Sequence, residues 1–164
     1  MGTVRRRIHS RKGGVPREYK GIVYAHERQN ATLTDITTSV HPTSDNLDNP
    51  RFPSFESVLG AGTIHESWVT TVDPNGKEHR FVVAAQYCSD CQPNRSLLKI
   101  LPEIRWKGGL VVMRGGHRVF VVDMGGPFYQ KLAEQAVRKF LLETAPAVLA
   151  LEQHGIALDI PTDM

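Results

Sequence analysis

The chain has 164 residues, 40% of them hydrophobic and 23% charged, a size and balance that suit one folded domain and exclude a fibrous chain or one disordered throughout. Its longest apolar run is far short of the ~20 residues a membrane-spanning helix needs, and Ser10 to Lys20 is polar where a signal peptide would be apolar. The net charge of +3 is unevenly divided: residues 1–20 hold seven cations and one anion, +6, and the other 144 residues hold 13 cations and 16 anions, −3.

In chain order, residues 1–20 have almost nothing to bury, and Gly13-Gly14 with Pro16 interrupts any helix, so this segment reads as a flexible basic arm. Arg5, Arg6, Arg7, Arg11 and Lys12 are its polyanion-binding candidates, suited to nucleic-acid phosphates, an acidic protein face or an importin groove. Residues 21–164 then form a single α+β domain. Gly21 to His26 predicts a short strand, and Asn30 to Pro53, rich in Thr, Ser, Asp, Asn and Pro, predicts a long irregular connection. Ser54 to Leu59 fits one or two helical turns closed by Gly60.

The strongest local pattern is a hairpin pairing Ser67–Val72 with Glu78–Tyr87 across Asp73-Pro74-Asn75-Gly76. Pro74 presets the turn's negative φ and Gly76 tolerates the left-handed geometry that closes it. A second hairpin joins Leu110–Arg114 to His117–Met124 through Gly115-Gly116. Its uninterrupted apolar runs predict burial on both faces and a central place in the sheet. Phe128 to Glu143 has apolar residues at helical spacing. Thr144 can cap a second helix with Pro146 in its first turn, running to about His154. Ile156 to Ile160 would add an edge strand or a packed tail. The expected fold is α+β, a mostly antiparallel sheet of about five strands with two C-terminal helices packed on one face. Trp68, Phe81, Val83, Val112, Phe120, Val122, Leu132, Val137 and Phe140 are its expected core.

Three patterns admit chemistry. Cys88 and Cys91 form a Cys-x-x-Cys pair after a strand, half of a zinc motif; the other ligands would come from scattered residues such as His41, His65, His79 or His117. The alternative is two small, half-buried thiols in a turn. His65-Glu66 upstream supplies the residue types of a metal-activated water and a general acid or base, as in the zinc nucleobase deaminases. The two are adjacent, however, where those enzymes have His-x-Glu, and Tyr87 stands in the place of the proline. Asp123-Met124-Gly125-Gly126-Pro127 leads from a strand into a helix, so Gly125 and Gly126 could offer amides to an anion or simply make the turn.

Two cysteines do not provide a disulfide framework for a domain this size, which favours an intracellular setting, cytoplasmic or nuclear. The expectation is an intracellular binding or interaction module. Its partner would be a protein, or nucleic acid reached through the basic arm, and no membrane is expected. The arm contacts polyanions or serves as a nuclear-localisation signal. No cofactor is expected unless the alternative holds, a zinc-dependent enzyme, deaminase-like or hydrolytic, built on Cys88 and Cys91.

Overall fold

The computed structural model describes residues 17–40, 51–117 and 120–153. Seven strands form one antiparallel sheet: β1 (Arg17–Tyr24), β2 (Thr32–Val40), β3 (Arg51–Pro53), β4 (Ile64–Val72), β5 (Glu78–Gln86), β6 (Leu110–Gly115) and β7 (Val121–Val122). Two short helices, α1 (Glu56–Leu59) and α2 (Arg95–Leu98), lie in connections, and one long helix, α3 (Pro127–Gln153), follows the last strand. Six strands run in the order β3-β2-β1-β6-β5-β4, and β7 pairs with β6 beyond the end of β1.

The mixed class and antiparallel sheet agree with expectation, while the numbers of strands and helices do not. The segment read as an irregular connection contains β2, which pairs with β1 from Arg17↔Thr38 to Val23↔Thr32. Thr32, Thr34, Ile36, Thr37, Thr38 and Val40 are all β-branched, and such side chains fit a pleated surface even where a hydroxyl replaces a methyl. Arg17 to Lys20, assigned to the arm by charge, belong to this pairing, and the Thr38 hydroxyl donates to the Arg17 carbonyl at 2.7 Å. The five arm cations proposed as polyanion contacts, Arg5 to Lys12, lie outside the described residues, as does Ile156–Ile160.

The first hairpin forms and is longer than predicted, with every residue from Ile64 to Val72 paired to Gln86 through Glu78. Asp73 closes its turn by accepting from the Asn75 and Lys77 amides at 2.8 and 3.0 Å. The second hairpin is much shorter. Only Arg114↔Val122 and Gly115↔Val121 pair, and the Gly116 amide donates to the Phe120 carbonyl across a wider turn than a two-residue one. β6 occupies the predicted central place, with Leu110 to Met113 fully buried.

The two expected C-terminal helices are one, with Pro146 inside it. Proline removes one i to i−4 bond, but the carbonyl it leaves belongs to Leu142 on the exposed face. The apolar stripe spans it, with Leu141 and Ala145 buried before it and Val148 after it, so packing on the sheet holds the helix together across the proline.

Alternation along the strands divides the interior into two cores. Ile22, Tyr24, Phe81, Val83, Ala85, Leu110 and Val112 face α3, where Leu132, Ala136, Val137, Phe140 and Leu141 cover them. Val23, Ile36, Val82, Ala84, Val111 and Met113 face the other way, onto Phe55 and Val121. A flat six-stranded path at ~4.8 Å per strand would separate its edges by ~24 Å. Yet Phe52 of β3 and Trp68 of β4 both touch Phe120, at ring separations of 4.8 and 4.9 Å. The sheet therefore curls, and its concave face encloses the second core.

Of the predicted core, Phe81, Val83, Val112, Leu132, Val137 and Phe140 are buried. Trp68 is 38% exposed at the curl's edge, and Phe120 and Val122 are half-buried. The largest fully buried side chain is Trp106. It lies between Tyr87 and Phe140, and its Nε1 donates to the Gln86 carbonyl at 3.1 Å.

Candidate functional site

Chemistry-bearing side chains gather at the two ends of the central strands. At the end where β5 finishes and β6 begins, the backbone from Cys88 to Asn94 is laid along residues 106–107. The Cys88 amide donates to the Lys107 carbonyl at 2.8 Å and the Asn94 amide to the Trp106 carbonyl at 2.8 Å. Asn94 is the buried centre of this end. Its Nδ2 donates to the carbonyls of Tyr24 and Gly108, at 2.9 and 2.8 Å. Its Oδ1 accepts from the amides of Ser96 and Leu97 and from the Ser96 hydroxyl, capping α2.

Cys88 and Cys91 are joined by a disulfide with their Cα atoms 5.4 Å apart. A disulfide is a third state open to this spacing, beside the zinc ligands and the free thiols weighed from sequence. The disulfide separates two clefts. One, of about 590 Å³, is lined by Cys91 with His26, Glu27, Arg95 and Arg105. The other, of about 330 Å³, is lined by Cys88 with His65, Gln86, Tyr87 and Asp90.

His65 thus shares a cleft with Cys88, while Glu66 does not. Adjacent residues on a strand point to opposite faces: His65 pairs with Ala85 of the helix-covered core and Glu66 with Ala84 of the concave core. Burial pushes the His65 imidazole below its ordinary value, so it is neutral at pH 7. His79, another ligand candidate, sits at the far end of β5, ~30 Å from Cys88 at strand rise, with Nε2 2.9 Å from the Asp73 carboxylate. That contact and the Lys77 amide hold the Asp73 carboxyl below its usual range. His117 is also at the far end, and His41 lies outside the described residues. Among the described residues, no three His, Cys, Asp or Glu side chains come together as a metal site requires.

Gly125 and Gly126 occupy the turn into α3, as predicted. Gly125 has φ +86°, and a Cβ there would lie 2.9 Å from the Tyr129 ring. The Gly125 and Gly126 carbonyls accept from the Gln130 side chain and amide, at 3.1 and 3.0 Å. The positive φ and the Tyr129 contact account for Gly125 through the turn itself, whereas a Cβ at Gly126 would meet nothing within 4 Å.

At the opposite end, where β5 begins and β6 finishes, lies a cleft of about 380 Å³ lined by Glu78, His79, Arg80, Arg114, Gly115, Gly116 and His117. Arg80 lies over the Trp68 ring, its Cζ 4.5 Å from the centroid, and Arg114 lies over Tyr129 at 3.6 Å. Their remaining contacts are long hydrogen bonds to carbonyls, Arg80 to Gly116 at 3.4 Å and Arg114 to Asp123 at 3.5 Å. Neither guanidinium is in an ion pair with a described residue. Strand alternation puts Arg80 on the concave face with Trp68, and Arg114 on the helix face with Tyr129. The side-chain-free backbone of Gly115-Gly116 runs between them. A Cβ on Gly115 would lie 2.9 Å from Trp68 and 3.0 Å from the Arg80 carbonyl, so glycine is what lets the edge tryptophan close on this saddle.

Arg105 and Arg114 lie at opposite ends of β6, and Trp106 is buried between the sheet and α3. The saddle was missed because Arg80, Trp68 and Tyr129 are far apart in sequence. The only local hints were the Gly115-Gly116 pair and the arginine beside it. No described helix is long and apolar enough to cross a membrane. No protein-family model, curated protein or solved structure matches the chain.

Proposed function

We propose that this domain is a binding module for a flexible polyanion, seated across the Arg80–Arg114 saddle. The observation that carries the reading is the pair of guanidiniums, each lying over an aromatic ring and free of carboxylate partners among the described residues, on either side of a glycine floor. Stacking restricts an arginine's rotamers while leaving its N–H edge to bind, so less entropy is lost when an anion arrives. Two cations on opposite faces suit an extended ligand with charges along its length better than one compact anion. Single-stranded nucleic acid has that form, and the arm cations Arg5 to Lys12 would add to the attraction at longer range. Glu78 on the rim opposes binding and limits the site's net charge.

The test is fluorescence anisotropy of a labelled single-stranded oligonucleotide with the full chain over a range of salt concentrations. Arg80→Ala/Arg114→Ala should weaken binding and reduce the log–log salt slope by ~1.4, the value for two lost phosphate contacts on a single strand. Removing the residues before Arg17 separates the arm's share while keeping the whole of β1 in the chain. Unchanged affinity and slope in the double variant would refute the assignment.

A further inference from the structure

The cleft at the other end of β6 has a different character, because the disulfide-bonded residue Cys91 forms part of its wall. Cys91 and Cys88 are only half-buried, and the turn that carries them is fixed by the Cys91 amide donating to the Cys88 carbonyl at 3.0 Å. Around the Cys91 side stand two arginines. Arg105 has no bonded partner among the described residues, and Arg95 makes only a 3.4 Å contact to the Glu27 carbonyl. The Glu27 carboxylate is engaged by His26, with Nδ1 3.3 Å from Oε1. Two guanidiniums against one carboxylate leave the cleft positive beside a reducible bond.

We propose that the Cys88–Cys91 disulfide exchanges with a low-molecular-mass thiol bearing carboxylates, bound in this cleft by Arg95 and Arg105 so that its sulfur meets Cys91. The incoming thiol loses its proton to solvent, and its thiolate attacks Cys91 Sγ. A mixed disulfide forms on Cys91 as the Cys88–Cys91 bond breaks, and Cys88 leaves as a thiolate that takes a proton from solvent. A second thiolate attacks the small-molecule sulfur of the mixed disulfide and releases Cys91. The protein disulfide gains two electrons and two protons, and two small thiols become one small disulfide. The arginines assign the sulfurs: Cys91 receives the anionic thiol and Cys88, facing the other cleft, departs. This reaction is independent of the polyanion saddle, which lies at the opposite end of the strands.

Reduction of the full chain is followed with glutathione, which carries carboxylates, and with uncharged 2-mercaptoethanol; the same disulfide in the urea-unfolded chain is the reference. The glutathione-to-mercaptoethanol rate ratio should be about tenfold higher on the folded protein, as expected for a steered anion. It should fall to the unfolded-chain value in Arg95→Ala/Arg105→Ala, whose side chains are exposed, and at high salt. Single-cysteine variants report the attacked sulfur: with oxidised glutathione, Cys88→Ser should form its mixed disulfide on Cys91 faster than Cys91→Ser forms one on Cys88. Equal ratios on folded and unfolded chains, equal rates for the two variants, or cysteines that stay reduced in oxidised glutathione would each overturn the proposal.

Discussion

Replacing Asn94 by alanine removes a single side chain that joins three parts of the fold. Nδ2 ties the end of β1 to the 106–109 segment through the Tyr24 and Gly108 carbonyls, and Oδ1 caps α2. The residue is fully buried, so alanine leaves two carbonyls and two amides without their partner. Each such group costs ~1–3 kcal/mol, and water entering the vacated space recovers part of the sum, so the net loss should be ~3–5 kcal/mol. Urea denaturation monitored by tryptophan fluorescence measures it, because Trp106 donates to the Gln86 carbonyl beside this site. Asn94→Asp sharpens the test. A carboxylate can still accept from Ser96 and Leu97, but it places negative charge against the Tyr24 and Gly108 carbonyls. Its pKa in the folded state is thereby raised, so its penalty should be small below the unfolded carboxyl value of ~4 and grow as pH rises above it. A loss below ~1 kcal/mol for Asn94→Ala, or a penalty for Asn94→Asp that does not vary with pH, would refute this account of the residue.

Burial raises the phenol of Tyr24 well above its ordinary value, and burial with the 2.5 Å hydrogen bond to Glu152 does the same for Tyr87. Both phenols hold their protons more tightly folded than unfolded. Their contribution is therefore complete below the unfolded value of ~10 and is lost as pH rises from there through the higher folded values; the share of phenolate absorbance that Tyr24→Phe or Tyr87→Phe removes should appear only together with unfolding. Tyr87→Phe should cost ~1 kcal/mol, the net worth of one hydrogen bond, read as a lower denaturation midpoint. Gly108→Ala should cost at least ~2 kcal/mol: φ is +125°, and the new Cβ would collide with the Gln86 carbonyl. A chain that keeps wild-type stability would contradict the register of β5 against this loop.

The legible parts of the fold were those specified by neighbours in sequence. Asp73-Pro74-Asn75-Gly76 states its turn in four residues, the run from Leu110 to Met113 announces a buried strand, and Phe128 to Glu143 repeats at helical spacing. Strand β2 was hidden because its hydroxyl-rich side chains look like loop composition, and the partner that satisfies its backbone lies across a turn in β1. The continuity of α3 through Pro146 was hidden because one missing hydrogen bond weighs less than a packed apolar face, and that face is visible only once the sheet exists. At the site level, Cys88 and Cys91 stood out by spacing, but spacing alone does not distinguish metal ligands, free thiols and a disulfide.

From its sequence alone, this protein was determined to have a mixed architecture, an antiparallel β4–β5 hairpin, a central β6, an amphipathic C-terminal helix and positive charge concentrated in its first 20 residues. All of these follow from local periodicity, turn chemistry or counting. Tertiary structure decided which side chains share a cleft. Curling of the sheet brings Phe52, Phe120 and Trp68 together from its two edges, and strand alternation parts Glu66 from His65. The path of β6 carries Arg105 to one end and Arg114 to the other. Each depends on distance through space between residues remote in the chain, and that distance is set by strand register and sheet curvature.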